Sequence, residues 1–188
     1  MHRNAVLKLL RAHAALSLDA YEAAMTAEII RFTEAHADCL LRSCLPGHLT
    51  GSAWIVSPDR TRTLLTHHHK LDKWLQLGGH ADGDGDLLAV ALREAREESG
   101  LTRLRAVSAE IFDCDRHLIP ARKGEPEHFH HDLRFMIEAD SCEPLVISNE
   151  SKDLAWVEVA RVTALNPEES MARMVRKTLG LRGVGGAR

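Results

Sequence analysis

Apolar positions near the start of the chain recur at helical spacing, first Val6, Leu9, Leu10, His13 and Ala14, then Tyr21, Met25, Ile29 and Phe32. This pattern predicts two helices within residues 4–42, with Ser17 and Asp19 between them as candidate caps of the second. Pro46-Gly47 ends the helical stretch. The character then changes. "HLTGSAWIVS" and "TRTLLTHH" flank a "PDR" turn, so residues 48–68 read as a β-hairpin. After "KWLQLGG" and a loop of glycines and aspartates, apolar periodicity of 3–4 predicts a helix over Leu87–Ser99. "LRAVSAEIFDCDRHLI" (104–119) and "EHFHHDLRFMIEA" (127–139) read as long strands, and "LAWVEV" (154–159) as a last one. Residues 167–180 close the pattern as a helix, and "GLRGVGGAR" reads as a frayed tail.

Length and charge narrow the classes. A chain of 188 residues with 45% hydrophobic content suits one globular domain with an appendage. A net charge of −3 excludes a global field that would draw the chain to duplex nucleic acid or anionic lipid. Any phosphate must therefore be held by a local site. No apolar run reaches the length of a membrane span. Lys8, Arg11 and His13 interrupt the N-terminal apolar run, which fits an amphipathic helix better than a signal peptide. Cys39, Cys44, Cys114 and Cys142 form no CxxC pair and read as reduced thiols of a cytoplasmic protein, although Cys39 and Cys44 could pair in an oxidising compartment.

The chemistry concentrates on the helix over Leu87–Ser99. At about 100° per residue, Leu88, Ala91, Leu92, Ala95 and Ser99 form one stripe, expected to face the core. Glu94, Glu97 and Glu98 share another face, within reach of one ion. A solvated acidic face partnered by Arg93 and Arg96 is the plain alternative. Two features weigh against it. Like charges at these spacings repel, and the helix opens from a glycine-rich turn whose amides could cradle phosphate. Carboxylates beside phosphate require a hard divalent cation between them. A calcium loop of the EF-hand kind is excluded, because Leu87 and Arg93 stand where it needs Gly and Glu.

Gly79 and then Arg93-Glu94-Ala95-Arg96-Glu97-Glu98-Ser99-Gly100-Leu101 resemble the Nudix box. That pattern runs Gly, five residues, Glu, seven residues, Arg-Glu-aliphatic-x-Glu-Glu-x-Gly-aliphatic. The resemblance extends loosely over residues 48–165. It implies an α+β fold of the Nudix α/β/α sandwich type with a mixed β-sheet, over residues 46–182. An N-terminal helical extension (1–45) would precede it and a flexible tail (183–188) follow. It further implies a hydrolase that cleaves the pyrophosphate linkage of a nucleoside diphosphate linked to another moiety, or of a related organic pyrophosphate. Mg²⁺ or Mn²⁺ would be held by Glu94, Glu97, Glu98 and the Gly79 carbonyl. The metal would neutralise pyrophosphate charge and activate the attacking water, with Glu97, Glu98 or Glu150 as general base.

One position departs from the pattern. Gly85 stands where its first Glu belongs, a residue expected to pair with the box arginine, here Arg93. Asp84 or Asp86 could take that place, and Asp86 could also cap the helix. The alternative is a catalytically impaired, nucleotide-binding regulatory module on the same fold. An isoprenoid diphosphate isomerase is a third option, weakened by the lack of a cysteine nucleophile beside the box.

His128, His130, Asp132 and Arg134 alternate with the apolar Phe129, Leu133, Phe135 and Ile137, so His130, Asp132 and Arg134 are expected to line a cleft and contact substrate. A polar sheet face is the competing reading, and a zinc site lacks HxxxH or CxxC spacing. His80, beside the glycine pair, is the remaining candidate contact, ahead of the His67–His69 run. The partner is then a small nucleotide or pyrophosphate. Three roles stay open for the N-terminal helices: covering a sheet edge, forming a homodimer interface, or walling the substrate pocket.

Overall fold

The computed structural model describes residues 2–16, 19–69, 71–121, 124, 126–149 and 151–184. Helices α1 (His2–Ala14) and α2 (Ala20–Ala35) come first. Strands β1 (Gly47–Val56), β2 (Arg62–His68), β3 (Lys73–Leu75) and β4 (Leu77–His80) precede α3 (Leu87–Ser99). Then come β5 (Arg105–Ala106), β6 (Asp113–Ile119), β7 (His128–Glu138) and β8 (Ser151–Glu158). A 3-10 turn (Val159–Arg161), α4 (Val162–Leu165) and α5 (Glu169–Val184) finish the chain. The hydrogen-bonded path of the sheet is β3-β2-β1-β7-β5, with β4 on β1, β6 on β7 and β8 on β2. The class is α+β with N-terminal helices, as the sequence predicts.

Chain contacts define two compact units. The first combines residues 1–52, 78–91 and 108–135. In it, β6 and β7 form an antiparallel hairpin from Asp113↔Arg134 to Ile119↔His128. Helix α2 starts at Asp19, whose side chain accepts the Glu22 N–H at 2.9 Å, as expected of a cap. Ser17, the other candidate cap, lies outside the described residues. Buried Val6, Leu10 and Ile29 form the apolar seam of the helices. Two glycines mark where β1 runs too close to its neighbours for a side chain. A Cβ on Gly51 would stand 2.6 Å from the Leu87 carbonyl oxygen in the first turn of α3, and one on Gly78 would stand 2.7 Å from the Ser52 Cα. The start of α3 is thus fixed against β1.

The second unit combines residues 53–77, 92–107 and 136–188. Strand β2 pairs antiparallel with β1 (Ile55↔Leu64) and along its length with β8 (Arg62↔Glu158 to His68↔Ser151). Trp54 is fully buried and donates its indole N–H to the Thr178 hydroxyl of α5 at 2.9 Å, and Met171, Met174 and Val175 of the same helix are buried.

Several boundaries differ from the sequence reading. The long strand over 104–119 is two strands: Val107 and Phe112 still donate to β7, but residues 108–111 leave it in a turn where the Ser108 hydroxyl accepts the Glu110 N–H. The closing helix runs on to Val184 through Gly180 rather than fraying, and residues 185–188 lie outside the described residues. All four cysteines are free, including Cys39 and Cys44. Among the described residues no helix is long and apolar enough to cross a membrane.

Candidate active site

The glycine–aspartate loop is a folded cap. The Asp84 carboxylate accepts the Asp86 N–H at 2.9 Å, and the Asp86 carboxylate accepts the Ala89 N–H at 3.0 Å, which makes Asp86 the N-cap of α3. Asp82 and Gly83 take positive φ, 49° and 90°, to close the turn. The Gly83 N–H donates to the Leu40 carbonyl and the Asp84 N–H to the Ala81 carbonyl, each at 2.9 Å. Arg42 grips Asp82 through two nitrogens, at 2.6 and 2.8 Å. Three of the amides expected to cradle phosphate, those of Gly83, Asp84 and Asp86, are already engaged by Leu40, Ala81 and Asp84.

The far half of α3 carries the glutamates. Arg93 lies 2.8 Å from Glu94 Oε1 and 4.0 Å from Glu97 Oε1. The guanidinium that Gly85 leaves without its usual partner thus has carboxylates on its own helix. Glu97 is exposed, Glu94 half-buried and Glu98 only 7% exposed. The buried stripe is also turned from the one expected: Leu87, Val90, Ala91, Ala95, Glu98 and Ser99 are buried, while Leu88 and Leu92 are not. Glu98 stands within the buried arc, so the solvated-acidic-face reading fails for it. A carboxylate is desolvated only where other groups offset the cost. Gly100 ends the helix at φ 72°, with its N–H on the Arg96 carbonyl at 2.8 Å, as a C′ glycine should.

Three carboxylates within one helical turn, one inward and one open to solvent, supply the hard oxygen donors that Mg²⁺ or Mn²⁺ takes. The donor set fits such an ion. Gly79, the expected carbonyl ligand, is the half-buried third residue of β4. Glu150 lies outside the described residues.

Asp132 and Arg134 are not free to line a cleft, which corrects the sequence reading. Both are buried, at 1% and 2% exposure. Arg134 lies 2.8 Å from Asp132, 3.2 Å from Asp113 and 3.4 Å from Asp115, while Thr50 and Ser52 donate hydroxyls to Asp132 at 2.8 and 2.7 Å. Burial alone would raise the Asp132 carboxyl pKa, but the Arg134 and His117 charges together with the hydrogen bonds from Arg134 and Ser52 outweigh it and hold the carboxyl below its ordinary value. An i, i+2 polar alternation looks alike on a solvated face and around a buried ion cluster.

His80 and His130 do come together, in company that the sequence did not reveal. The His48 ring centroid is 4.8 Å from those of His80 and His130 and 4.9 Å from that of His128. His117 lies 5.4 Å from His130 across the β6–β7 ladder. Burial, followed by the surrounding charges, pushes His80 down to about 4 and His130 to about 2, so both are neutral at physiological pH. No spacing signal could have brought in His48, which reaches the group through strand pairing. The His67–His69 run takes no part: His67 stacks on Trp74 and pairs with Asp72 at 2.9 Å.

Helix α2 also walls a cavity of about 520 Å³ that Arg31, Phe32, Arg116, Phe129 and His131 help to line. Phe32 stacks on His131 with centroids 3.9 Å apart, and the Arg116 guanidinium lies 3.4 Å above the Phe129 ring.

Comparison with known proteins agrees with the architecture. The family model for the NUDIX domain matches residues 48–178. A bis(5′-nucleosyl)-tetraphosphatase (asymmetrical) of Caenorhabditis elegans is 26% identical over 110 residues, which cover 58% of this chain and 73% of the relative. A crystal structure of a C. elegans Ap4A hydrolase binary complex superimposes with a TM-score of 0.58 at 18% identity, covering 72% of this chain and 98% of that one. The E. coli dihydroneopterin triphosphate pyrophosphohydrolase superimposes with a TM-score of 0.53 at 17% identity, covering 69% of this chain and 92% of that one. At these identities the structural likeness shows the fold. With the family model spanning well over half of its residues, the chain belongs to the NUDIX family.

Proposed function

We propose that this NUDIX-family pyrophosphohydrolase cleaves the pyrophosphate linkage of a nucleoside diphosphate joined to another moiety, with a divalent cation held by Glu94, Glu97 and Glu98. The observation that carries this reading is the burial of Glu98 on the same helical turn as half-buried Glu94 and exposed Glu97. A solvated acidic helix face keeps its carboxylates in water, and Glu98 is withdrawn from it beside two carboxylates that are not. The bound cation, Mg²⁺ or Mn²⁺, neutralises pyrophosphate charge and makes water easier to ionise. The Gly79 carbonyl is its candidate fourth protein ligand, on the family pattern.

The chain's own residues do the rest. Glu97, the most open of the three, accepts a proton from the water that attacks phosphorus as the bridging P–O bond breaks. Glu98 and Glu150 are the other candidates for that proton. Asp86 caps the helix, Asp84 braces the cap, and Arg93 balances the carboxylate charge before a cation arrives. His80, half-buried at the end of β4, is the candidate substrate contact. The impaired-module alternative turns on Arg93 losing the glutamate that Gly85 removes; the carboxylate of Glu94 beside Arg93 supports the active reading.

A panel of nucleotide pyrophosphates, with diadenosine tetraphosphate among them, assayed with Mg²⁺ and Mn²⁺, tests the proposal. Turnover should require the metal and vanish in Glu97→Gln with the fold intact. Binding of one panel member without release of any product would sink the hydrolase reading.

A further inference from the structure

We infer that His48, His128 and His130 form a transition-metal site, suited to Zn²⁺, whose ligands are distinct from the Glu94, Glu97 and Glu98 set. One nitrogen from each ring lies within 4.8 Å of the others. His128 Nε2 and His130 Nε2 are 3.3 Å apart. Two nitrogens each about 2.0–2.1 Å from a tetrahedral ion lie about 3.3–3.4 Å apart. The pair is therefore already at the separation of two ligands on one Zn²⁺.

The orientation is fixed from behind. His128 Nδ1 lies 2.8 Å from the Pro126 carbonyl oxygen, which can only accept, so Nδ1 carries the proton and the lone pair of the neutral ring is on Nε2, toward His130. A backbone carbonyl on the far nitrogen is the outer-shell arrangement that aims histidine at a metal. The strands explain how the set assembles. His128 and His130 are two residues apart on β7 and so share a face, while His48 comes from β1. Ligands this distant in sequence leave no spacing motif, which is why the sequence argued against zinc.

The donor type selects the ion. Three imidazoles without a carboxylate suit Zn²⁺, Co²⁺, Ni²⁺ or Cu²⁺ and are a poor match for Mg²⁺ or Ca²⁺. Metals bind the neutral ring through its lone pair, which the Pro126 contact directs to Nε2 of His128. His80, with its centroid 4.9 Å from that of His130, is placed to orient the set or to complete it. The competing account is a direct N–H···N bond between His130 and His128 at 3.3 Å, which predicts no metal uptake by the wild-type chain.

The test uses the full chain, stripped with a chelator and titrated with Co²⁺ in excess Mg²⁺. We expect one equivalent of Co²⁺ with visible ligand-field absorption, displaced by Zn²⁺. X-ray absorption of the Zn²⁺ form should show nitrogen neighbours at about 2.0–2.1 Å. His128→Gln and His130→Gln should each weaken binding by about 100-fold or more, while Glu97→Gln and His67→Gln leave it unchanged. An oxygen-only shell, loss of binding in Glu97→Gln or His67→Gln, or no binding by the wild-type chain overturns the site. Should the β7 variants fail to fold, the wild-type absorption spectrum and the Glu97→Gln and His67→Gln titrations still decide it.

Discussion

The Arg93 guanidinium lies 2.8 Å from the Glu94 carboxylate, on the helix that carries the proposed metal ligands. A side-chain cation therefore holds a carboxylate that a divalent cation would need. The pair is partly exposed, so its own contribution to stability is small, about 0.2–1 kcal/mol. Arg93→Ala should lower the melting temperature slightly without metal and enlarge the increase that Mg²⁺ produces. Thermal scans with and without Mg²⁺ measure both. An unchanged Mg²⁺ effect would mean that guanidinium and metal do not compete.

Asp86 separates two roles that the sequence left merged. As the cap of α3 it satisfies the Ala89 N–H, and Asp86→Ala should cost about 1 kcal/mol. Turnover per folded molecule should hold. Denaturant unfolding and steady-state kinetics on the same preparation check this. A collapse of kcat at unchanged stability would show that Asp86 acts on the box chemistry as well.

Arg134 is expected to matter for folding and not for phosphate. Removing it leaves Asp113, Asp115 and Asp132 buried around an absent charge, and breaking such a cluster costs about 3–5 kcal/mol. Arg134→Met should be severely destabilised by denaturant unfolding, whereas a phosphate-gripping arginine would cost KM with stability intact. The pH dependence follows from Asp132. Its folded pKa is depressed, so the folded state binds fewer protons than the unfolded chain below about pH 4. Its stabilisation is present above the unfolded value and lost as pH falls through the folded one. Asp132→Asn should be less stable at neutral pH and flatten the acid limb of the stability curve.

What was legible in the sequence follows the range of the interactions. Helix α3 was readable to its ends because periodicity, the Asp86 cap and the Gly100 stop are all local. The strand over 104–119 was misread because its interruption depends on a turn that composition does not mark. The faces of β7 were misassigned past His130, since Arg134 finds two of its partners on β6. The histidine group escaped notice for the same reason: His48 joins it only through folding.

The buried pair of His13 and Glu22 bears on whether residues 1–45 are an appendage at all. His13 Nε2 lies 2.8 Å from Glu22 Oε1, with both side chains almost fully buried. The same oxygen accepts the Cys114 N–H at 3.4 Å, so one carboxylate joins α1, α2 and β6. Phe32 adds its stack on His131 of β7. Glu22→Ala leaves buried donors without an acceptor, at about 1–3 kcal/mol. A His13→Phe, Glu22→Leu double variant should lose less than the sum of its single substitutions, because both polar partners leave together. Residues 46–188 alone should be markedly less stable than the full chain, since β6 and β7 lose the helix that covers them. Urea unfolding of the full chain, the single and double variants and the shortened chain reads these differences. Equal stability of the shortened chain would restore the picture of a detachable extension.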